Sequence, residues 1–228
     1  MKRIFAFLLW IALLLSCISS ASAAPSRYTS NDLEKAFQQF EKCAFSAEYG
    51  GTGRDYTVRW QKPIAVYFSG NYTNDDLAFF FRFATELTEN VPGMPEIRLT
   101  TLKDESNVQI YFTKLNKMGD FLSSYTEGNW GYFTFWHSGN SITRAEIAVA
   151  TDVTNQKQRY HLIMEEFVGA LGLANDHYLN RKSILYGEWT EVQTLTTADW
   201  LMLEFLYDTR LSSGQTWREL KPQLEKLY

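Results

Sequence analysis

The side chains best placed to do chemistry lie in one stretch, Tyr160-His161-Leu162-Ile163-Met164-Glu165-Glu166-Phe167-Val168-Gly169-Ala170-Leu171-Gly172-Leu173-Ala174-Asn175-Asp176-His177. Apolar residues recur through it at helical spacing, and Gly172 is a helix-ending signal. His161 and Glu165 are four apart, so they share one helical face and can pair with each other or together hold a metal ion. Glu166 is the candidate general base. Adjacent helical carboxylates point about 100° apart, so Glu165 and Glu166 cannot face one small site equally. One of them is expected to be solvated and the other to tie down the loop after the helix. Asn175, Asp176 and His177 fall in that loop. They can approach the helix or, as turn residues do, bond the local backbone.

The spacing is that of a zinc-peptidase helix. Such a helix carries two histidines four apart as metal ligands, with a glutamate beside the first to hold the attacking water. The metzincin version adds a glycine at the turn and a third histidine beyond it. On that template Glu165 takes the first ligand position, Glu166 the base, Gly169 the second ligand, Gly172 the turn and Asn175 the third ligand. The framework is present and the ligands are not: glycine offers no side chain, and asparagine is a poor zinc ligand beside imidazole or thiolate. Ser183-Ile184-Leu185-Tyr186 resembles the metzincin methionine turn with leucine in place of methionine, and Leu195-Thr196-Thr197-Ala198-Asp199 opens a following helix.

The chain also resembles a proteobacterial family of unknown function whose members are described as candidate lipoproteins. The resemblance rests on Arg59-Trp60 with Pro63, Glu165-Glu166, Leu171-Gly172-Leu173, Asn175-Asp176, Ser183-Ile184 and Leu206-Tyr207-Asp208. That family carries glutamine where this chain has Gly169. The resemblance implies no enzymatic activity.

Binding residues are therefore expected to be Glu165, Glu166, Asn175 and Asp176, with no cofactor. The alternative is a rebuilt zinc site from His161, Glu165 and His177, with Glu166 as base. The aromatic run Trp130, Tyr132, Phe133, Phe135 and Trp136 reads as a strand near the cleft. Tyr132 and Phe133 fall on opposite faces, and the run either packs a core or takes an extended peptide by strand addition.

The elements that position these residues follow from pattern. Helices are expected from a start at Thr29-Ser30-Asn31-Asp32 with Leu33, Ala36, Phe37 and Phe40 on the buried face, at 74–90 capped from Asn74, at 155–171, at 197–208 and at 217–227. Strands are expected as a pair or one bent strand over 57–69, then at 96–101, 107–113, 128–137 and 145–150. The order predicts an α+β domain with α/β-type layers, a mixed sheet and a central active-site-type helix, which is the zincin-like arrangement. No repeated βαβ unit is visible.

Lys2 and Arg3, the apolar run from Ile4 to Leu15 and the Ala21-Ser22-Ala23 site compose a signal peptide over 1–23, leaving 24–228 as one domain. Alternatively Leu14-Leu15-Ser16-Cys17 is a lipobox, with Cys17 lipidated and the protein attached to the membrane through that lipid. In both cases Cys43 has no intramolecular partner, so the fold depends on its core. Loss of Lys2 and Arg3 leaves 20 basic against 26 acidic side chains, a formal charge of −6 that argues against nucleic acid as partner. These features lead to an exported, periplasmic or secreted protein that acts as a binding or assembly factor on an envelope protein or peptide. The alternative is a metal-dependent peptidase.

Overall fold

The computed structural model describes residues 27–45 and 54–228. The signal segment 1–23, its alternative at Cys17 and the glycines 50, 51 and 53 lie outside the described residues.

The chain order is α1 (Ser30–Phe45), β1 (Arg59–Trp60), β2 (Ile64–Gly70), α2 (Asn74–Asn90), β3 (Ile97–Leu99), β4 (Val108–Thr113), β5 (Gly131–Ser138), β6 (Ser141–Ala150), α3 (Gln156–Ala170), α4 (Thr197–Tyr207) and α5 (Trp217–Leu227). Four helices begin with the same local device. Thr73, Asn155, Thr196 and Thr216 each accept the third-residue N–H, and Asp76, Gln158, Asp199 and Glu219 reach back to the cap. This reciprocal pairing satisfies N–H groups that a helix start leaves without partners. The cap of α2 is thus Thr73, one residue before the expected Asn74. Asp76 is fully buried and also accepts from Gln156 at 2.5 Å and Arg159 at 3.2 Å, which ties the starts of α2 and α3 together.

The strands form a six-stranded mixed sheet in the order β1-β6-β4-β2-β3, all parallel, with β5 antiparallel on β6. The 57–69 segment is two strands that do not pair with each other: β1 lies along Ser141 and Ile142 of β6, while β2 lies between β3 and β4. Ser138 pairs with Ser141, so Gly139 and Asn140 close a two-residue hairpin, with φ +57° at the glycine. That hairpin starts β6 four residues earlier than the hydrophobic pattern alone indicates.

Alternation divides the core. Ala145, Ile147 and Val149 of β6 face the cluster built with α2 and α3, whereas Ala148 and Ala150 face Tyr111, Met118 and Leu122 on the other side. The larger cluster continues from Ala36 in α1 to Leu224 in α5 and includes Cys43, which is fully buried. Among the described residues no helix is long and apolar enough to cross a membrane.

Trp60, Leu171, Gly172 and Tyr207 meet at the end of α3. The Trp60 indole N–H donates to the Ala170 carbonyl at 2.9 Å, and the Tyr207 hydroxyl donates to the Leu171 carbonyl at 2.9 Å. Gly172 follows at φ +122°, where a Cβ would meet the Val58 carbonyl at 2.4 Å. The Arg59 guanidinium donates to the Leu206, Asp208 and Leu211 carbonyls, which holds the end of α4 against β1. These contacts supply donors to carbonyls that would otherwise be buried without partners at helix ends. Trp60→Phe and Tyr207→Phe each strand one such carbonyl, so each is expected to lower unfolding free energy by about 1–3 kcal/mol in urea titrations.

Candidate functional site

Helix α3 runs beneath β5, and the close approach of the two is recorded by two glycines. A Cβ on Gly131 of β5 would lie 2.3 Å from Glu166 Oε1, and a Cβ on Gly169 of α3 would lie 2.4 Å from the Phe133 ring. The second-ligand position of the zinc template is therefore covered by an aromatic ring from the edge strand. Glu166 is buried at 8 % exposure, with its carboxylate against the β5 backbone.

Beside this contact lies a cleft of about 810 Å³. Its walls are residues 128–135 of β5 and the segment before it, His161, Leu162, Glu165 and Glu166 of α3, residues 173–176, and residues 185–189. Successive strand residues point to opposite faces, so a cleft touching all of 130–135 runs along the strand's edge. Among the described residues that edge pairs with no other strand. The Ala150 N–H donates to the Trp130 carbonyl, which makes that position a hydrogen-bonded pair. By alternation the backbone groups of Phe133 and Phe135 then point away from β6. Phe133 and Phe135 stack at 6.2 Å on the α3 side, while Tyr132 packs against Tyr125 on the opposite face, as the alternation predicted. The aromatics of β5 are half-buried wall residues, with Phe133 and Phe135 packed only at the margin of the main core.

All four expected binding residues, Glu165, Glu166, Asn175 and Asp176, line this cleft. His161 is buried there at 2 % exposure, with Nε2 at 3.3 Å from Glu165 Oε2 and Nδ1 donating to the Val192 carbonyl at 2.8 Å. Burial opposes a charge on His161. The hydrogen bond and charge of Glu165, the Val192 carbonyl and nearby Glu191 outweigh it and raise its pKa above the ordinary imidazole value. Trp189 meets the His161 ring edge-on at 5.5 Å and Trp130 at 5.1 Å. Asn175 has a further task, since its backbone and side-chain N–H groups both donate to the Cys43 carbonyl at the end of α1.

His177 stands apart from the set His161, Glu165 and His177. It does not line the cleft, and both its ring nitrogens are engaged elsewhere. Nδ1 accepts from the Leu179 N–H, and Nε2 lies 3.1 Å from Ser183 Oγ. The Ser183 hydroxyl donates to Asp199 at 2.5 Å, so it accepts from His177 Nε2–H and from the Leu185 N–H. The network fixes one neutral tautomer of His177 and places serine, not histidine, at its centre, which is the wrong order for nucleophilic activation. Asp199 also accepts from Thr196 and Ile184; burial nevertheless raises its pKa above the ordinary aspartate value. Among the described residues no group of three or more His, Cys, Asp or Glu side chains is gathered as a metal site.

Sequence reasoning missed Asp199, Gly131 and Trp189. Gly131 was open to it, because an isolated glycine within a strand marks a close backbone approach. Asp199 was visible only as a helix-start residue, and its contact with Ser183 bridges 16 positions.

Fold and site define a mixed α/β domain with an acidic and aromatic cleft between an edge strand and a helix. The chain belongs to a family described as proteins of unknown function (DUF2927), whose model matches residues 34–226. No curated protein matches the chain.

Two outcomes test this geometry. Gly169→Ala is expected to be less favourable in the wild-type background than in Phe133→Ala by about 1–3 kcal/mol, the usual cost of overpacking, in a double-mutant cycle. Burial lowers the His177 pKa from 6.5 to about 4. Between those values the unfolded chain takes up a proton that the folded protein refuses, so stability declines as pH falls through this window and levels off below it. The plot of urea midpoint against pH is expected to be flatter there in His177→Gln.

Proposed function

We propose that the protein is an exported cell-envelope binding or assembly factor of zincin-like ancestry, which holds an extended peptide segment in the cleft between β5 and α3. The observation that carries this reading is the cleft itself, which runs along an open strand edge and is floored by the helix that bears Glu165 and Glu166. An extended chain laid there can exchange backbone hydrogen bonds with outward groups such as those of Phe133 and Phe135. Tyr178, Leu179 and Trp189 stay exposed at or next to the lip despite their size, as side chains kept for a partner do.

Ancestry is supported by convergence. The helix from Gln156 to Ala170 and the Ser183–Tyr186 turn both contribute to the cleft wall, and the helix opened by Thr196 is tied to that turn through Ser183 and Asp199, in the order of the zincin template. The chemistry of the site favours binding over hydrolysis. Phe133 occupies the space above Gly169, and His177 is committed to Ser183 and Leu179. Export rests on the N-terminal charge, apolar run and small-residue site, with lipidation at Cys17 as the anchored form.

Short unstructured peptides titrated into isotope-labelled mature protein are expected to shift the backbone amides of 131–135 and 165–176. N-methylation of alternate peptide residues is expected to abolish those shifts. The binding reading is overturned by stoichiometric zinc that disappears in His161→Ala and Glu165→Ala, accompanied by peptide cleavage that is lost in Glu166→Gln.

A further inference from the structure

Glu165, Glu166, Asp176 and Glu188 all line the cleft, and among the described residues no lysine or arginine does. His161, the histidine on its wall among the described residues, is paired with Glu165. The rest of the wall is rich in aromatic faces, with Trp130 and Trp189 in edge contact at 5.1 Å and Tyr178 and Tyr186 at 6.0 Å. Carboxylates set among aromatic faces attract a cation twice over, through charge and through the ring quadrupole. The protein already uses this chemistry at the far end of the same wall: the Arg54 guanidinium lies 4.8 Å over the Phe135 ring. Walls that bury the ligand's charge also strengthen the attraction, because the cleft is less polarisable than water.

We propose that the cleft selects a cationic segment, an extended peptide that places a lysine or arginine side chain between the Trp189 side and the Glu165–Asp176 floor. This rests on the peptide-binding reading above and adds the class of ligand. The summed field of the four carboxylates, rather than any one of them, sets the preference. The strand edge supplies affinity that is indifferent to sequence, and the acidic floor supplies the choice. The formal charge of the mature chain, −6, steers the same class of partner from a distance.

The test uses the mature protein and matched short peptides that differ at one central position: lysine, arginine, the neutral isosteres norleucine and citrulline, or glutamate. Quenching of tryptophan fluorescence and calorimetry read the binding. The expected result is that lysine and arginine peptides bind at least about tenfold more tightly than their isosteres and that glutamate peptides bind weakest. The advantage is expected to shrink in high salt and in Glu188→Lys, an exposed position whose substitution leaves the core intact. Glu165→Gln provides a second variant within the floor. Equal affinity for charged and neutral peptides overturns the cation preference and leaves strand binding standing. Failure of every peptide to bind, whatever its charge, overturns the binding reading and the preference with it.

Discussion

Helix α3 lies so close to strand β5 that neither Gly131 nor Gly169 has room for a side chain. The rest of the site depends on that approach. Because the helix is drawn up to the strand, the Glu166 carboxylate presses on the β5 backbone and the Phe133 ring covers the helix one turn later. The cleft is what remains beside the contact, bounded by the strand edge above and the helix below. A larger residue at either glycine would have to displace the Glu166 carboxylate or the Phe133 ring, and closely packed interiors resist such changes.

The approach is held at both ends of the helix. At its start, Asn155 caps α3, and Gln156 and Arg159 reach the buried Asp76 carboxylate at the start of α2. At its finish, Trp60 and Tyr207 donate to the last carbonyls, and Gly172 turns the chain against Val58. Beneath the cleft, Asp199, Ser183 and His177 form a buried chain that pins the 177–187 loop, and Asn175, just before that loop, ties the chain to α1. His177, Ser183 and Asp199 are thus occupied as struts. The cleft beside them is lined mainly by carboxylates and aromatic rings, with His161 and Asn175 among them.

Much of this was legible along the chain. Periodicity located each helix, because apolar faces recur wherever a helix must bury one side, and the capping residues marked where most of them begin. The strand set was legible except for the first part of β6, where Thr143 and Arg144 break the apolar pattern and the hairpin at Gly139 and Asn140 decides the start. The grouping of Glu165, Glu166, Asn175 and Asp176 was legible from spacing alone, since one helix and its following turn carry them all. His177 was not separable from them by spacing, because its partner Ser183 sits six positions on, in a loop without periodicity.

The sequence by itself determined the helices and strands with their burial patterns, and the absence of histidine at positions 165, 169 and 175, because each depends on residue types at short range. Only the tertiary structure decided why Gly169 is a glycine, which glutamate lies beneath the strand, and that β5 keeps an open edge along the cleft. Those facts depend on contacts such as Phe133 with Gly169 and Gly131 with Glu166. The residues that meet there are distant in the chain, and no local propensity records the distance between a strand and the helix it covers.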